Sequence, residues 1–305
     1  MNPRFARLFK RARKAQDWLV AQITFAALAV LRLVPPRVGL SIVDRLARLL
    51  GPLTPRHRVA KTNLRLAFPD KDEAWIDGIV RANWGQMGRL AAEYIFLDEL
   101  FDFDPTSAEP GVVEVDGVDR FVELRDRQGP IVFFTGHLGS FELLPICAAT
   151  FGLKVTALFR PPNNRFIARR VLATRKTRSG KLVPSKAGAA WALASTLENH
   201  GAVGMLVDQK FRKGVPTQFF GRSCRTNPLL PKLVRQFGCE VYPARSIRLP
   251  NGRYRLELQP RLDLPRDGDG AIDIAASCQL LNDVVEGWVR EHPEQWMWFH
   301  RRWDR

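Results

Sequence analysis

The sequence predicts an α/β fold: a mostly parallel central sheet flanked by helices, preceded by a helical, membrane-associated N-terminal region. Three observations predict it. From about residue 113, short β-branched or aromatic runs alternate with helical stretches, as in a sheet covered on both faces. Residues 37–105 carry apolar side chains at helical rather than alternating spacing. Residues 1–61 hold thirteen Lys/Arg against Asp17 and Asp44, eleven units of the chain's net +16, and many of these cations bracket a short apolar run.

That apolar run is the first element. Arg4, Arg7, Lys10, Arg11, Arg13 and Lys14 precede the uncharged stretch Trp18–Leu31; Arg32 and the Pro35-Pro36 stop follow. A spanning helix needs ~20 apolar residues, and this stretch is shorter and contains Gln22 and Thr24. Both flanks are basic, so charge asymmetry sets no orientation, and no small-residue cleavage site follows. The expectation is an anchor lying in the membrane interface, which gains from anionic headgroups as well as from apolar burial. Residues 1–50 are assigned to this region and residues 51–305 to the α/β domain.

Leu40, Ile42, Val43, Leu46, Leu49 and Leu50 predict a helix closed by Gly51-Pro52. Arg56–Ala67 and Asp72–Tyr94 predict two more, separated by Phe68-Pro69-Asp70. Strands are predicted at Val112–Val115, Ile131–Thr135, Val155–Phe159, Lys181–Pro184, Val203–Val207, Val241–Ile247 and Tyr254–Leu258. Helices are predicted at 118–127, 140–151, 164–177, 187–199, 228–237 and 272–291.

Composition removes other classes. A 305-residue chain that is 46% hydrophobic is not disordered. Four cysteines without a C-x-x-C pair make neither a disulfide scaffold nor a zinc site, and suit a reducing compartment. The basic charge calls for an anionic partner. With no zinc finger, helix-turn-helix or aromatic RNA-binding strand motif, that partner is not nucleic acid.

In open α/β sheets ligands gather at the carboxyl ends of the strands. After Ile131–Thr135 the chain reads Gly136-His137-Leu138-Gly139-Ser140-Phe141-Glu142. His137 sits in the turn before a helix that Ser140 would cap. Glu142 can then fold back under the imidazole, fix its tautomer and stabilise the imidazolium, while His137 takes a proton from an alcohol. Backbone N–H groups near Gly139 would receive the oxyanion. Ser140 is not in a G-x-S-x-G elbow, so direct attack by a substrate hydroxyl is expected rather than a covalent acyl-enzyme.

Other residues are placed around the same mouth. Arg160 would bind an acceptor phosphate or assist the oxyanion, or else close a strand-end ion pair. Asn163 and Asn164 would touch substrate or cap the next helix. Asp208 and Gln209 are placed at the substrate, where Asp208 would pair with Arg160 or Arg301 and hold the site, or else be purely structural. Arg301 and Arg302 would read phosphate or form a solvated helix end. Residues 160–186 carry nine basic side chains and no acid, a second block suited to an anionic partner. Trp296, Trp298, Phe299 and Trp303 are expected to pack a C-terminal lid rather than line an acyl slot, and His300 is expected to be structural.

Taken together these pieces resemble the bacterial lipid A biosynthesis acyltransferases, the late lauroyl and myristoyl transferases of lipopolysaccharide assembly. The resemblance runs through the apolar segment, Asn63-Leu64, Phe68-Pro69, His137 with Glu142, Arg160-Pro161 with Asn163-Asn164, and Phe219-Phe220-Gly221. It closes on the tail Pro293-Glu294-Gln295-Trp296-Met297-Trp298 with His300-Arg301-Arg302. It implies a glycerolipid-acyltransferase-like fold and no cofactor. It also implies a thioester donor, acyl-carrier protein or coenzyme A, and a hydroxyl acceptor on a lipid A precursor. The place of action would be the cytoplasmic face of the inner membrane. Alternatives are the same fold acting on another glycolipid, a phosphatidylinositol mannoside or an aminolipid, and a non-catalytic basic membrane-surface protein.

Overall fold

The computed structural model describes residues 3–104, 111–127, 129–159, 164–175, 180–185 and 188–304. Four helices come first: α1 (Pro3–Leu31), α2 (Pro36–Leu50), α3 (Pro55–Ala67) and α4 (Glu73–Leu100). Proline opens α2 and α3 in the first helical position, where its missing N–H costs nothing. Asp72 caps α4 by accepting from the Trp75 amide at 2.8 Å.

The alternating region follows: β1 (Val113–Asp116), α5 (Val118–Asp126), β2 (Ile131–Thr135), α6 (Leu144–Thr150), β3 (Val155–Phe159), α7 (Arg165–Arg175), β4 (Lys181–Pro184), α8 (Ala189–Glu198) and β5 (Ala202–Leu206). A hairpin, β6 (Val215–Phe219) and β7 (Arg222–Thr226), comes next. The chain then forms α9 (Leu229–Phe237), β8 (Glu240–Arg248), β9 (Tyr254–Leu258) and α10 (Ile274–Glu291), and ends in an irregular tail.

The seven-stranded sheet has the order β1-β9-β8-β2-β5-β3-β4. All neighbours are parallel except β8 and β9. Strand alternation divides the core. Val132 and Phe134 face α10 with Val203, Met205 and Val207, against Leu281, Val285 and Trp288. Ile131 and Phe133 face α6 with Val155 and Tyr242, against Ile146 and Cys147.

Two departures from the sequence reading bear on the site. The β6–β7 hairpin was not anticipated. Its turn is Phe220-Gly221, both at positive φ (55° and 66°), the geometry of a two-residue hairpin turn. The helix expected over 140–151 divides into a tight turn at Phe141–Leu143 and the α-helix from Leu144. Ser140 does not cap it, because its hydroxyl donates to the buried Glu93 carboxylate at 2.8 Å.

Among the described residues no helix is long and apolar enough to cross a membrane. The first two helices nevertheless turn large apolar side chains outward. On α1, Trp18, Leu19, Val20, Ile23 and Val30 are exposed, and on α2 and the turn after it Val38, Ile42, Leu46, Leu49, Leu50 and Leu53. The α2 stripe follows helical spacing. The opposite face buries Gly39 and Leu40 against α4, and there Asp44 pairs with Arg89 at 3.0 Å.

Candidate active site

The carboxyl end of β2 delivers His137 to the top of the sheet, and β5 beside it delivers Asp208 and Gln209. The turn between them needs its glycines. A Cβ on Gly136 would stand 3.1 Å from Val285 and 3.3 Å from the Asp208 carboxylate. Gly139 has φ +56°, and a Cβ there would lie 2.0 Å from the Ser246 carbonyl.

Asp208 is the hub. It is 2% exposed, and all its described contacts are donors. The His137 amide reaches Oδ2 at 2.7 Å, the His137 ring reaches Oδ1 through Nδ1 at 2.7 Å, and Trp296 Nε1 reaches Oδ2 at 2.7 Å. Burial pushes its pKa up, but the attraction of His137 and these hydrogen bonds outweigh it and hold the carboxyl at about 2. A carboxylate on Nδ1 fixes the tautomer with its proton there and leaves the lone pair on Nε2. Gln209 Nε2 lies 3.0 Å from that Nε2 and donates to it.

The orienting bond expected from Glu142 is therefore made by Asp208. Sequence spacing measured Glu142 along one loop; the sheet instead brings in Asp208 from the neighbouring strand, where Thr135 pairs with Leu206. Glu142 lines the same cavity as His137, and the Tyr94 hydroxyl donates to it. Asp208 as a partner of Arg160 or Arg301 is likewise replaced by Asp208 as the partner of His137.

The tail locks this turn from above. Gly139 donates to the Gln295 carbonyl and Met297 to the His137 carbonyl, both at 3.1 Å. The Gly139 N–H expected to receive an oxyanion is thus already engaged. Asn83 on α4 holds the Glu294 and Trp296 carbonyls, and Asn63 on α3 holds those of Trp298 and His300. Trp303 Nε1 donates to Phe219 at 2.7 Å, and Lys210 pairs with Asp304 at 2.6 Å. Trp296 and Trp298 are packed edge to face, 4.6 Å between centroids. These aromatics pack a clasp and do not line the cavity, as expected.

Arg302 corrects another expectation. It is fully buried and donates to the Arg225 carbonyl, Thr226 Oγ1 and Asn282 Oδ1. It ties the tail to β7 and α10 and cannot face an acceptor phosphate. Arg301 is exposed. Asn164 caps α7, accepting from the Phe166 and Ile167 amides, and donates to the Asp17 carbonyl of α1 at 2.7 Å. Arg160 and Asn163 lie outside the described residues. Sequence reasoning missed Glu93. It is fully buried and accepts from Ser140, Arg248 and Tyr254, so it pins the His137–Glu142 turn to α4.

Beneath the turn is an apolar cavity of about 330 Å³, within the range of small-molecule sites. His137, Phe141 and Glu142 stand at one end. Its floor is the sheet face of Phe133, Ala157 and Gly204, and its roof includes Leu90 and Tyr94 of α4 and Leu144 and Ala148 of α6. A base whose Nε2 lone pair is held by a displaceable side-chain amide at the end of an apolar cavity can deprotonate a hydroxyl beside a bound hydrocarbon.

Comparison with known proteins gives the family. The sequence profile of the family described as bacterial lipid A biosynthesis acyltransferase matches residues 2–305. The chain is 26% identical to the lipid A biosynthesis myristoyltransferase of Escherichia coli (strain K12), over 97% of this chain and 89% of that protein. It is 25% identical to the lipid A biosynthesis palmitoleoyltransferase of the same organism, over 93% and 87%. Its identity to the lipid A biosynthesis acyltransferase of Haemophilus influenzae (strain ATCC 51907 / DSM 11121 / KW20 / Rd) is 23%, over 89% and 83%.

Proposed function

Because the chain belongs to the bacterial lipid A biosynthesis acyltransferase family and is an acyltransferase, we propose that His137 is the general base that moves a fatty acyl chain from a thioester to a hydroxyl of a lipid A precursor. The observation that carries this reading is the Asp208–His137 pair at the end of the apolar cavity.

In the proposed reaction the acyl chain lies in the cavity with its thioester carbonyl beside His137. The acceptor hydroxyl displaces the Gln209 amide from Nε2 and gives its proton to that nitrogen as its oxygen bonds to the carbonyl carbon. Asp208 stabilises the imidazolium, and Glu142 adds a second carboxylate beside it. The C–S bond then breaks, and the leaving thiolate takes the proton from His137. An acidic acyl-carrier protein is the proposed donor; the exposed Arg165, Arg169 and Arg170 of α7 supply complementary charge on the side where β3 ends. Arg301 is the described arginine proposed for an acceptor phosphate.

The outward apolar faces of α1 and α2, with Arg13, Lys14, Arg37 and Arg45 exposed among them, support docking on an anionic membrane surface, proposed to be the cytoplasmic face of the inner membrane.

The test is transfer from acyl-carrier-protein thioesters to a purified lipid A precursor, read by mass spectrometry. Wild type adds one acyl ester, and His137→Ala loses about 10²–10⁴ of the rate while still binding anionic vesicles. Wild-type turnover by folded His137→Ala overturns the mechanism.

A further inference from the structure

We propose that Gly204 sets the length of acyl chain this enzyme accepts, with Ala148 as the opposing wall. The inference rests on the acyl-transfer reading above.

Glycine is out of place at the middle of a central parallel strand. It weakens the strand and leaves a hole, unless something must approach the backbone there. Its position shows what approaches. On β5, Val203 and Val207 are buried in the α10-side core and Met205 is buried there while also reaching the cavity lining, whereas Gly204 and Leu206 line the cavity and keep partial exposure. A Cβ added to Gly204 would lie 3.1 Å from Val155 Cγ1 and 3.7 Å from Ala157 Cβ, two cavity-lining side chains. Any side chain at 204 would therefore project into the cavity.

The neighbours are small as well. Ala157 pairs with Gly204 across β3, and Ala148 comes down from α6. Ala148 is one helical turn past Leu144, so it is deeper than the residues nearest the His137 turn. Phe121 and Val155 line the cavity too. Bulky residues at 133, 155 and 121 thus surround a strip kept low by Ala148, Ala157 and Gly204.

Distance ranks Gly204 along the chain. Thr135 pairs with Leu206, and Phe133 with Gly204. Gly204 is thus one strand across and two residues below Thr135, about 8 Å away. An extended hydrocarbon advances about 1.25 Å per carbon. With the two further residues to His137 included, Gly204 stands about 14 Å from the base and faces roughly the eleventh to twelfth carbon of a chain whose carbonyl is there. A side chain there blocks the distal end of a long chain and leaves short chains untouched.

The experiment compares wild type, Gly204→Ala, Gly204→Val and Ala148→Val with thioesters of eight to sixteen carbons, acceptor held constant. Melting temperature confirms that each variant is folded. The expected result is a graded loss. Gly204→Val lowers kcat/KM for the fourteen- and sixteen-carbon donors at least tenfold relative to the eight-carbon donor, Gly204→Ala does so less, and Ala148→Val shortens the preferred chain from the other wall should Gly204→Val not fold. An unchanged chain-length profile in folded, active variants overturns the assignment while leaving acyl transfer intact. Failure of wild type to transfer any donor overturns the acyl-transfer reading and the assignment with it.

Discussion

The first 53 residues and the remainder of the chain treat hydrophobic side chains in opposite ways. Of the large apolar side chains that are exposed among the described residues, fourteen precede residue 54 and only Val122, Trp191 and Phe211 follow it. Beyond residue 54 the opposite extreme holds. Even polar groups are buried there, and Glu93 and Asn282 are satisfied by internal partners. A surface that leaves so much apolar area in water is what the membrane docking proposed above would use. A buried polar network fixes one geometry, because each lost partner is costly in low dielectric. The contrast separates docking from chemistry, so each should be breakable without the other.

The largest effect should come from the chemical half. Asp208→Asn leaves one oxygen for the His137 amide and the Trp296 indole, so that an NH2 faces Nδ1 in place of a carboxylate oxygen; this weakens the imidazolium and is expected to cost about 10²-fold or more in kcat with vesicle binding unchanged. It also tests the pH behaviour. Asp208 is held at about 2, below the ordinary carboxylate value. Its ionised contacts contribute fully above about pH 4 and are lost as pH falls toward 2. Acid unfolding of wild type should include this component, and Asp208→Asn should lack it.

The docking half should yield next. Leu49 and Leu53 are 70% and 81% exposed, so replacing both with Asp should leave the melting temperature unchanged. Each leucine that enters the interface contributes about 1.5–3 kcal/mol at full burial. The double variant is expected to bind anionic vesicles at least tenfold more weakly, while still acylating detergent-dispersed acceptor. Loss of transfer in detergent would show that the two halves are coupled.

The smallest effect tests the clasp. Trp296→Phe keeps the aromatic packing and removes one hydrogen bond to a charged acceptor, about 1.5–3 kcal/mol. It should lower kcat roughly tenfold with little change in KM, since the bond acts on Asp208 rather than on substrate.

The sequence was legible where the signal was local. Strands Ile131–Thr135, Val155–Phe159, Lys181–Pro184 and Tyr254–Leu258 lie where β-branched and aromatic runs placed them. His137 announced itself by leaving a buried strand between glycines. Its partner did not, because Asp208 is 71 residues away and meets it only through parallel pairing of β2 with β5. Arg302 looked like a surface cation because its partners come from β7 and α10. Glu93 gave no signal, since a carboxylate in mid-helix reads as solvated until the fold covers it. The tail motif stands out in the sequence, but the backbone bonds by which it holds the His137 turn are encoded by no side-chain pattern.

The central claim is that Asp208, and not Glu142, sets the tautomer of His137. Nitrogen-15 imidazole shifts of His137 in wild type, Glu142→Gln and Asp208→Asn read it directly. The account predicts the Nδ1–H form in wild type and in Glu142→Gln, and its loss in Asp208→Asn. Persistence of that form in Asp208→Asn together with its loss in Glu142→Gln would contradict it.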